Sequence, residues 1–223
     1  MLTTNNIYTL LLCAKHHDTP LIQDIGELII NSQWRTETHP DGEIRTLFCD
    51  QLHSRNDKIT IINPNGTCMW YQNGVLHREN GPAIIYPDGT RMWYQNGVLH
   101  RENGPAIIYP DGTRMWYQNG ERHRLDGPAV SYPDGTQSWY RNNKRHREDG
   151  PAVIKPDGYR AWFKNGERYR ENGPAIIQSD GTRLWYQNDE LHRENGPAVI
   201  KPDGTRMWYQ NGKLRRKVGL ITI

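Results

Sequence analysis

From Trp70 onward the chain repeats one pattern of apolar and polar positions every 23 residues. In the copy Asn96–Gln118, reading NGVLHRENGPAIIYPDGTRMWYQ, the apolar run 106–109 meets Pro110-Asp111-Gly112-Thr113, and Met115-Trp116-Tyr117 follow. Short runs of β-branched and aromatic residues bounded by Gly, Pro, Asn and Asp predict strands joined by turns. Asp111-Gly112 suits a two-residue type I′ hairpin turn, because both residue types tolerate positive φ. Asn119-Gly120 marks a second turn, and residues 121–128, ending in Gly127-Pro128, read as an extended connection with a bend. Each unit is therefore expected to be one β-hairpin plus a return loop.

A two-residue loop at Asp111-Gly112 fixes the register. Tyr109 then opposes Arg114, Ile108 opposes Met115, and Ile107 opposes Trp116. Successive strand residues point to opposite faces, so one face carries Ile107, Trp116, Tyr109 and Arg114, and the other Ile108, Met115, Ala106 and Tyr117. The following copy replaces Ile108 by Ser131 and Met115 by Ser138, as expected of cross-strand neighbours. The Tyr109 position becomes Lys155, Gln178 and Lys201 in other copies. It accepts charge, and so belongs to a wet rim.

Tryptophans stand at Trp70, Trp93, Trp116, Trp139, Trp162, Trp185 and Trp208, and only Trp34 lies outside the series. These residues read as the structural core of the repeat. Fixed periodicity marks a repeat array, for which length says nothing about domain count. Residues 1–33 differ: Asn5 or Asn6 suits a helix cap, Pro20 a stop, and Leu21, Ile22, Ile25, Leu28 and Ile29 recur at helical spacing. The expected organisation is a helical cap over 1–33, degenerate first repeats over 34–72, six full repeats over 73–210, and a partial repeat with a basic tail over 211–223. The fold class is mainly β: an elongated antiparallel sheet of successive β-hairpin repeats with a small N-terminal helical cap.

Composition sharpens this picture in two places. Leu, Ile, Val and Phe total only 42 of 223 residues, but twelve Tyr, eight Trp and a net charge of +3 argue against disorder and for a thin aromatic and aliphatic core. Within the unit Asn73–Gln95, Arg78 and Arg91 offset Glu79 and Asp88, and a neutral repeat disfavours nucleic acid as a partner. Cys13, Cys49 and Cys68 have no framework spacing and suggest reduced thiols. The apolar run Ile7–Ala14 has no basic segment before it and is too short to span a membrane. A chain that is cytoplasmic, or part of a virion if its source is viral, and neither secreted nor transmembrane, is the expectation.

Candidate chemistry repeats with the unit. His-Arg pairs recur at His77-Arg78, His100-Arg101, His123-Arg124, His146-Arg147 and His192-Arg193. Equivalent atoms two strands apart are separated by about 9–10 Å, while zinc ligands all lie about 2 Å from the metal. The histidines are thus expected to pack the return loop, and no metal or cofactor is expected. The arginine is expected to bind return-loop carbonyls, to pair with a carboxylate such as Glu102, or to stack on an aromatic ring; its functional alternative is anion binding. The array holds no nucleophile elbow, P-loop, dinucleotide fingerprint or HExxH, and no constellation occurs once, so an enzyme is not expected.

The pattern W-Y-x-N-G-x-x-H-R-x-x-G-P-A-x-x-x-x-P-D-G, over about residues 40–216, resembles MORN repeats. Trp93, Gly97, His100 and Asp111-Gly112 carry the likeness; Arg101 stands where the family usually has glycine, and Gly104-Pro105-Ala106 is additional. The chain looks closer to divergent MORN-like arrays frequent in large DNA viruses of amoebae, phages and some bacteria. The resemblance implies an elongated sheet of hairpins and protein-binding or scaffolding roles, with lipid association for some members. The expected function is a non-enzymatic scaffold for protein–protein interaction, with a virion structural component as one instance. The candidate binding surface is the row Tyr86, Arg91, Tyr109, Arg114 and Tyr132, together with Arg78 and Arg101. Peripheral association with anionic lipid through the arginine row and basic tail is the alternative.

Overall fold

The computed structural model describes residues 34–54 and 57–219, so the helical cap expected over residues 1–33 lies outside the described residues. The chain divides into two compact units, Met1–Pro87 and Asp88–Ile223. Every regular element among the described residues is a β-strand, and no helix there is long and apolar enough to cross a membrane.

In the second unit an antiparallel ladder runs without interruption from Arg91–Met92 to Lys213–Val218. Its hairpin turn differs from the one the sequence suggests. Gly112 N–H donates to the Tyr109 carbonyl and Tyr109 N–H to the Thr113 carbonyl, each at 3.0 Å. Gly112 has φ of 92° while Asp111 does not enter the positive region. The loop therefore has three residues, Pro110-Asp111-Gly112, in a type I turn closed by a left-handed glycine. Pro110 pre-sets the first φ, and the Asp111 carboxylate accepts the Thr113 N–H at 2.7 Å and its hydroxyl at 3.0 Å.

One extra loop residue slips the register by one and exchanges faces. Ile107 pairs with Met115 and Ile108 with Arg114, so the expected pairing of Ile108 with Met115 is corrected. Ser131 pairs with Gln137, and Ser138 with Val130; the two serines are not partners, and their joint change reflects no contact. One face carries Ile107, Met115, Val130, Ser138, Val153, Ala161, Ile176 and Leu184, and the other carries Ile108, Arg114, Ser131, Gln137, Ile154, Arg160, Ile177 and Arg183. The first face holds the core: Val130 and Val153 are 3% and 5% exposed. Clusters such as Val153, Ala161 and Ile176, flanked by Tyr159, Phe163, Leu184 and Tyr186, form a thin layer of aliphatic and aromatic side chains.

The type I′ turn sits instead at Asn119-Gly120, where φ is 50° and 81°. It closes a second hairpin, Tyr117–Gln118 against Glu121–Arg122. The unit is thus two hairpins, not one hairpin plus a loop. Where glycine is replaced, Asn143 and Asp189 hold φ of 61°, as residues that tolerate the left-handed region can.

The two hairpins part at the tryptophan. Trp116 N–H donates to the Ala129 carbonyl of the main ladder at 2.8 Å, while its own carbonyl accepts the His123 N–H of the side hairpin at 3.1 Å. Ala106, Ala129, Ala152 and Ala198 are fully buried, so nothing larger fits that side of the branch. In the first unit Trp70 repeats this geometry, and an earlier branch keeps it without the ring. Thr46 N–H donates to the Thr60 carbonyl and the Thr46 carbonyl accepts the His53 N–H. A degenerate repeat therefore begins at the turn His39–Glu43, with Trp34–Thr38 paired to Ile44–Phe48.

Candidate interaction surface

The arginine at the Arg101 position of each copy lies over the tryptophan that ends the preceding copy, including Arg170, where Tyr169 replaces the histidine. Guanidinium carbons stand 3.9–4.2 Å from the ring centres in the pairs Arg78–Trp70, Arg101–Trp93, Arg124–Trp116, Arg147–Trp139, Arg170–Trp162 and Arg193–Trp185. In the last repeat Arg216 is 4.9 Å from the Trp208 ring. A glycine three residues on covers the other side. A Cβ at Gly104 would meet the Arg101 guanidinium at 3.1 Å, and one at Gly127 would meet that of Arg124 at 2.9 Å. One nitrogen of each guanidinium then donates to the next carbonyl, as Arg101 does to Pro105 at 3.1 Å and Arg147 to Pro151 at 3.2 Å. The R-x-x-G-P spacing is the sequence signal for this sandwich.

Arg78 and Arg101 of the candidate surface are therefore held inside the fold. Both are half-buried, and burial pulls the Arg101 guanidinium below its ordinary range. Carboxylates add to two of the stacks: Arg78 grips Asp57 through two 2.8 Å hydrogen bonds, which hold the Asp57 carboxyl below the usual range, and Arg124 meets Asp126 at 3.0 Å. The tryptophans are partly covered by this arrangement. Trp70 is buried, and Trp93, Trp116, Trp139, Trp162, Trp185 and Trp208 are half-buried.

The remaining candidate residues separate. Arg114 shares the outer face with Ile108, whereas Tyr109 bonds across to Thr113 and follows Ile107 onto the core-bearing face. The expected single Tyr/Arg rim is thus corrected to two rows on opposite faces. Arg91 and Arg114 are exposed, Tyr86 and Tyr109 half-buried, and Tyr132 is 43% exposed. On the tyrosine side, burial pushes the Tyr117 phenol up, with Tyr109, Tyr140 and Tyr132 adding to the effect against the opposing charge of Arg122. Arg122 stands 4.3 Å over the Tyr140 ring and Arg168 stands 4.4 Å over Tyr186. Sequence reasoning missed this second arginine set, whose position is Leu99 or Leu191 in other copies.

The histidines join successive side hairpins. Nδ1 of His100, His123, His146 and His192 accepts the backbone N–H of Asn119, Asn142, Asn165 and Asn211 at 3.1–3.3 Å. A parallel bond runs from Gly120 N–H to the Leu99 carbonyl at 2.8 Å. Between successive return loops lie open clefts, one of about 510 Å³ floored by Trp139 and flanked by Arg124, Leu125 and Glu148. Cys49 and Cys68 are half-buried. No protein-family model matches the chain, and none of the curated proteins compared with it does so.

Proposed function

We propose that this chain is a non-enzymatic repeat scaffold of MORN-like type that binds protein partners. The observation that carries the reading is the repetition of solvent-facing side chains on an unchanging frame: Arg91, Arg114, Arg183 and Arg206 are all exposed at equivalent positions. Equivalent patches at fixed intervals suit an extended or repeated partner, since linked weak contacts add through effective concentration. Tyr and Arg are frequent anchors of such contacts. A structural part of a virus particle is one instance of the reading. Crosslinking mass spectrometry in the native source tests it. Crosslinks from the array to a defined protein support it, and an array crosslinked to no protein contradicts it.

The basic strand Lys213–Val218, exposed along its whole length, favours a second reading, peripheral binding to anionic lipid. Its stacked arginines lend it less support, because Arg78 and Arg101 are engaged with Trp70 and Trp93. Salt-sensitive binding to anionic vesicles that disappears when residues 212–223 are removed supports it, and no binding at low salt ends it.

A further inference from the structure

The outer face of the second unit's ladder alternates arginine with isoleucine. Reading across strands, Arg91, Ile108, Arg114, Ser131, Gln137, Ile154, Arg160, Ile177, Arg183, Ile200 and Arg206 are successive cross-strand neighbours. None of the five arginines takes part in an ion pair among the described residues. Nη1 of Arg160 is shielded from solvent and has no hydrogen-bond partner. Five aligned cations without partners on a face half-covered by isoleucine are a charged surface awaiting a complement.

Their spacing selects that complement. Like positions recur every second strand, about 9.5 Å apart. A polyproline II segment has three residues per turn and rises about 3.1 Å per residue, so every third side chain returns to the same side after about 9.3 Å. We infer that this face docks an acidic protein segment in the polyproline II conformation, lying along the ladder axis with a carboxylate at every third residue opposite an arginine. Gln137 occupies the position between Arg114 and Arg160, so the longest unbroken run is Arg160, Arg183 and Arg206. Isoleucines between the arginines offer apolar contact to the two intervening side chains. A nucleic acid fits less well, because the isoleucines that alternate with the arginines leave its continuous row of phosphates without partners at every second strand. The inference rests on the scaffold reading and names the chemistry of its partner.

Binding to the full chain is measured by fluorescence anisotropy with a labelled peptide carrying Glu at every third position among Ser and Thr. The control is a peptide of the same composition with its glutamates contiguous. The spaced peptide is expected to bind about tenfold more tightly. The triple variant Arg160→Gln, Arg183→Gln, Arg206→Gln is expected to lose that preference while unfolding at the same denaturant concentration, since Gln137 already occupies the equivalent site in a native copy. The triple Arg→Lys variant keeps the charge and retains most of the binding. Equal affinity for the two peptides, or an unaltered preference in the glutamine variant, overturns the inference. Native crosslinks that map to the Tyr109 and Tyr132 side overturn it while leaving the scaffold reading intact. Capture of anionic vesicles or DNA in place of the spaced peptide, with no protein crosslinked, removes both.

Discussion

The guanidinium of Arg124 lies 4.2 Å from the centre of the Trp116 ring, and a Cβ at Gly127 would stand 2.9 Å from its central carbon. Ring, cation and bare backbone are stacked, and the same order recurs in each full repeat. Glycine is required here by close approach more than by φ. Substituting Gly127→Ala should push Arg124 off the ring and break its 3.3 Å bond to the Pro128 carbonyl. Overpacking of this kind costs about 1–3 kcal/mol. Urea unfolding followed by tryptophan fluorescence checks the loss, and an unchanged midpoint would show that the stack yields freely.

Arg147→Lys at the next stack tests the cation itself. Lysine keeps the charge but loses the planar overlap with Trp139 and the directed bond to Pro151. A loss of about 1 kcal/mol is expected at this half-exposed site. A lysine variant as stable as the parent would reduce the interaction to simple charge.

Asn143 occupies a glycine position in its turn with φ of 61° and accepts a 2.8 Å hydrogen bond from Arg122 Nε. Asn143→Ala should cost about 1–2 kcal/mol, because alanine lacks both the bond and the tolerance of the left-handed region. Asn143→Gly should cost less than alanine. Thermal unfolding of the pair gives the order, and an alanine variant at least as stable as glycine would contradict the turn assignment.

Acid should loosen the main hairpins. The Asp180 carboxyl is held below the usual carboxylate range, first by the Thr182 backbone N–H and then by the Thr182 hydroxyl, and Asp203 is held down by Thr205 in the same order. A carboxylate whose folded pKa is depressed contributes stability above its unfolded value, about 3.9. That contribution fades as pH falls from about 5 through the folded value. The urea midpoint of the parent should drop across this range, and Asp180→Asn should flatten the drop. An identical pH profile in the variant would remove Asp180 from the account.

Much of the frame was legible in the sequence. The 23-residue beat announced a hairpin array, the replacement of Gly by Asn143 and Asp189 marked positive φ, and the charged replacements of Tyr109 marked an accessible position. The register was not legible, because Asp-Gly is compatible with two loop lengths. Pro110 before it and Thr113 after it decide for three residues, through a preset φ and a carboxylate that caps the Thr113 N–H. That single residue moved Arg114 away from Tyr109 and divided the candidate surface in two. Thr46, which takes the place of a tryptophan at a branch, left only the Asp41-Gly42 turn and His53 as traces of a repeat.

Register is also what the whole assignment of faces depends on, and paired cysteines measure it. In a chain with Cys13, Cys49 and Cys68 replaced by serine, Ile108→Cys with Arg114→Cys places two thiols on directly paired residues of one face. Ile108→Cys with Met115→Cys places them on opposite faces. Mild oxidation should bridge the first pair rapidly and leave the second reduced. A disulfide in the second pair and none in the first would restore the two-residue turn and return Arg114 to the side of Tyr109.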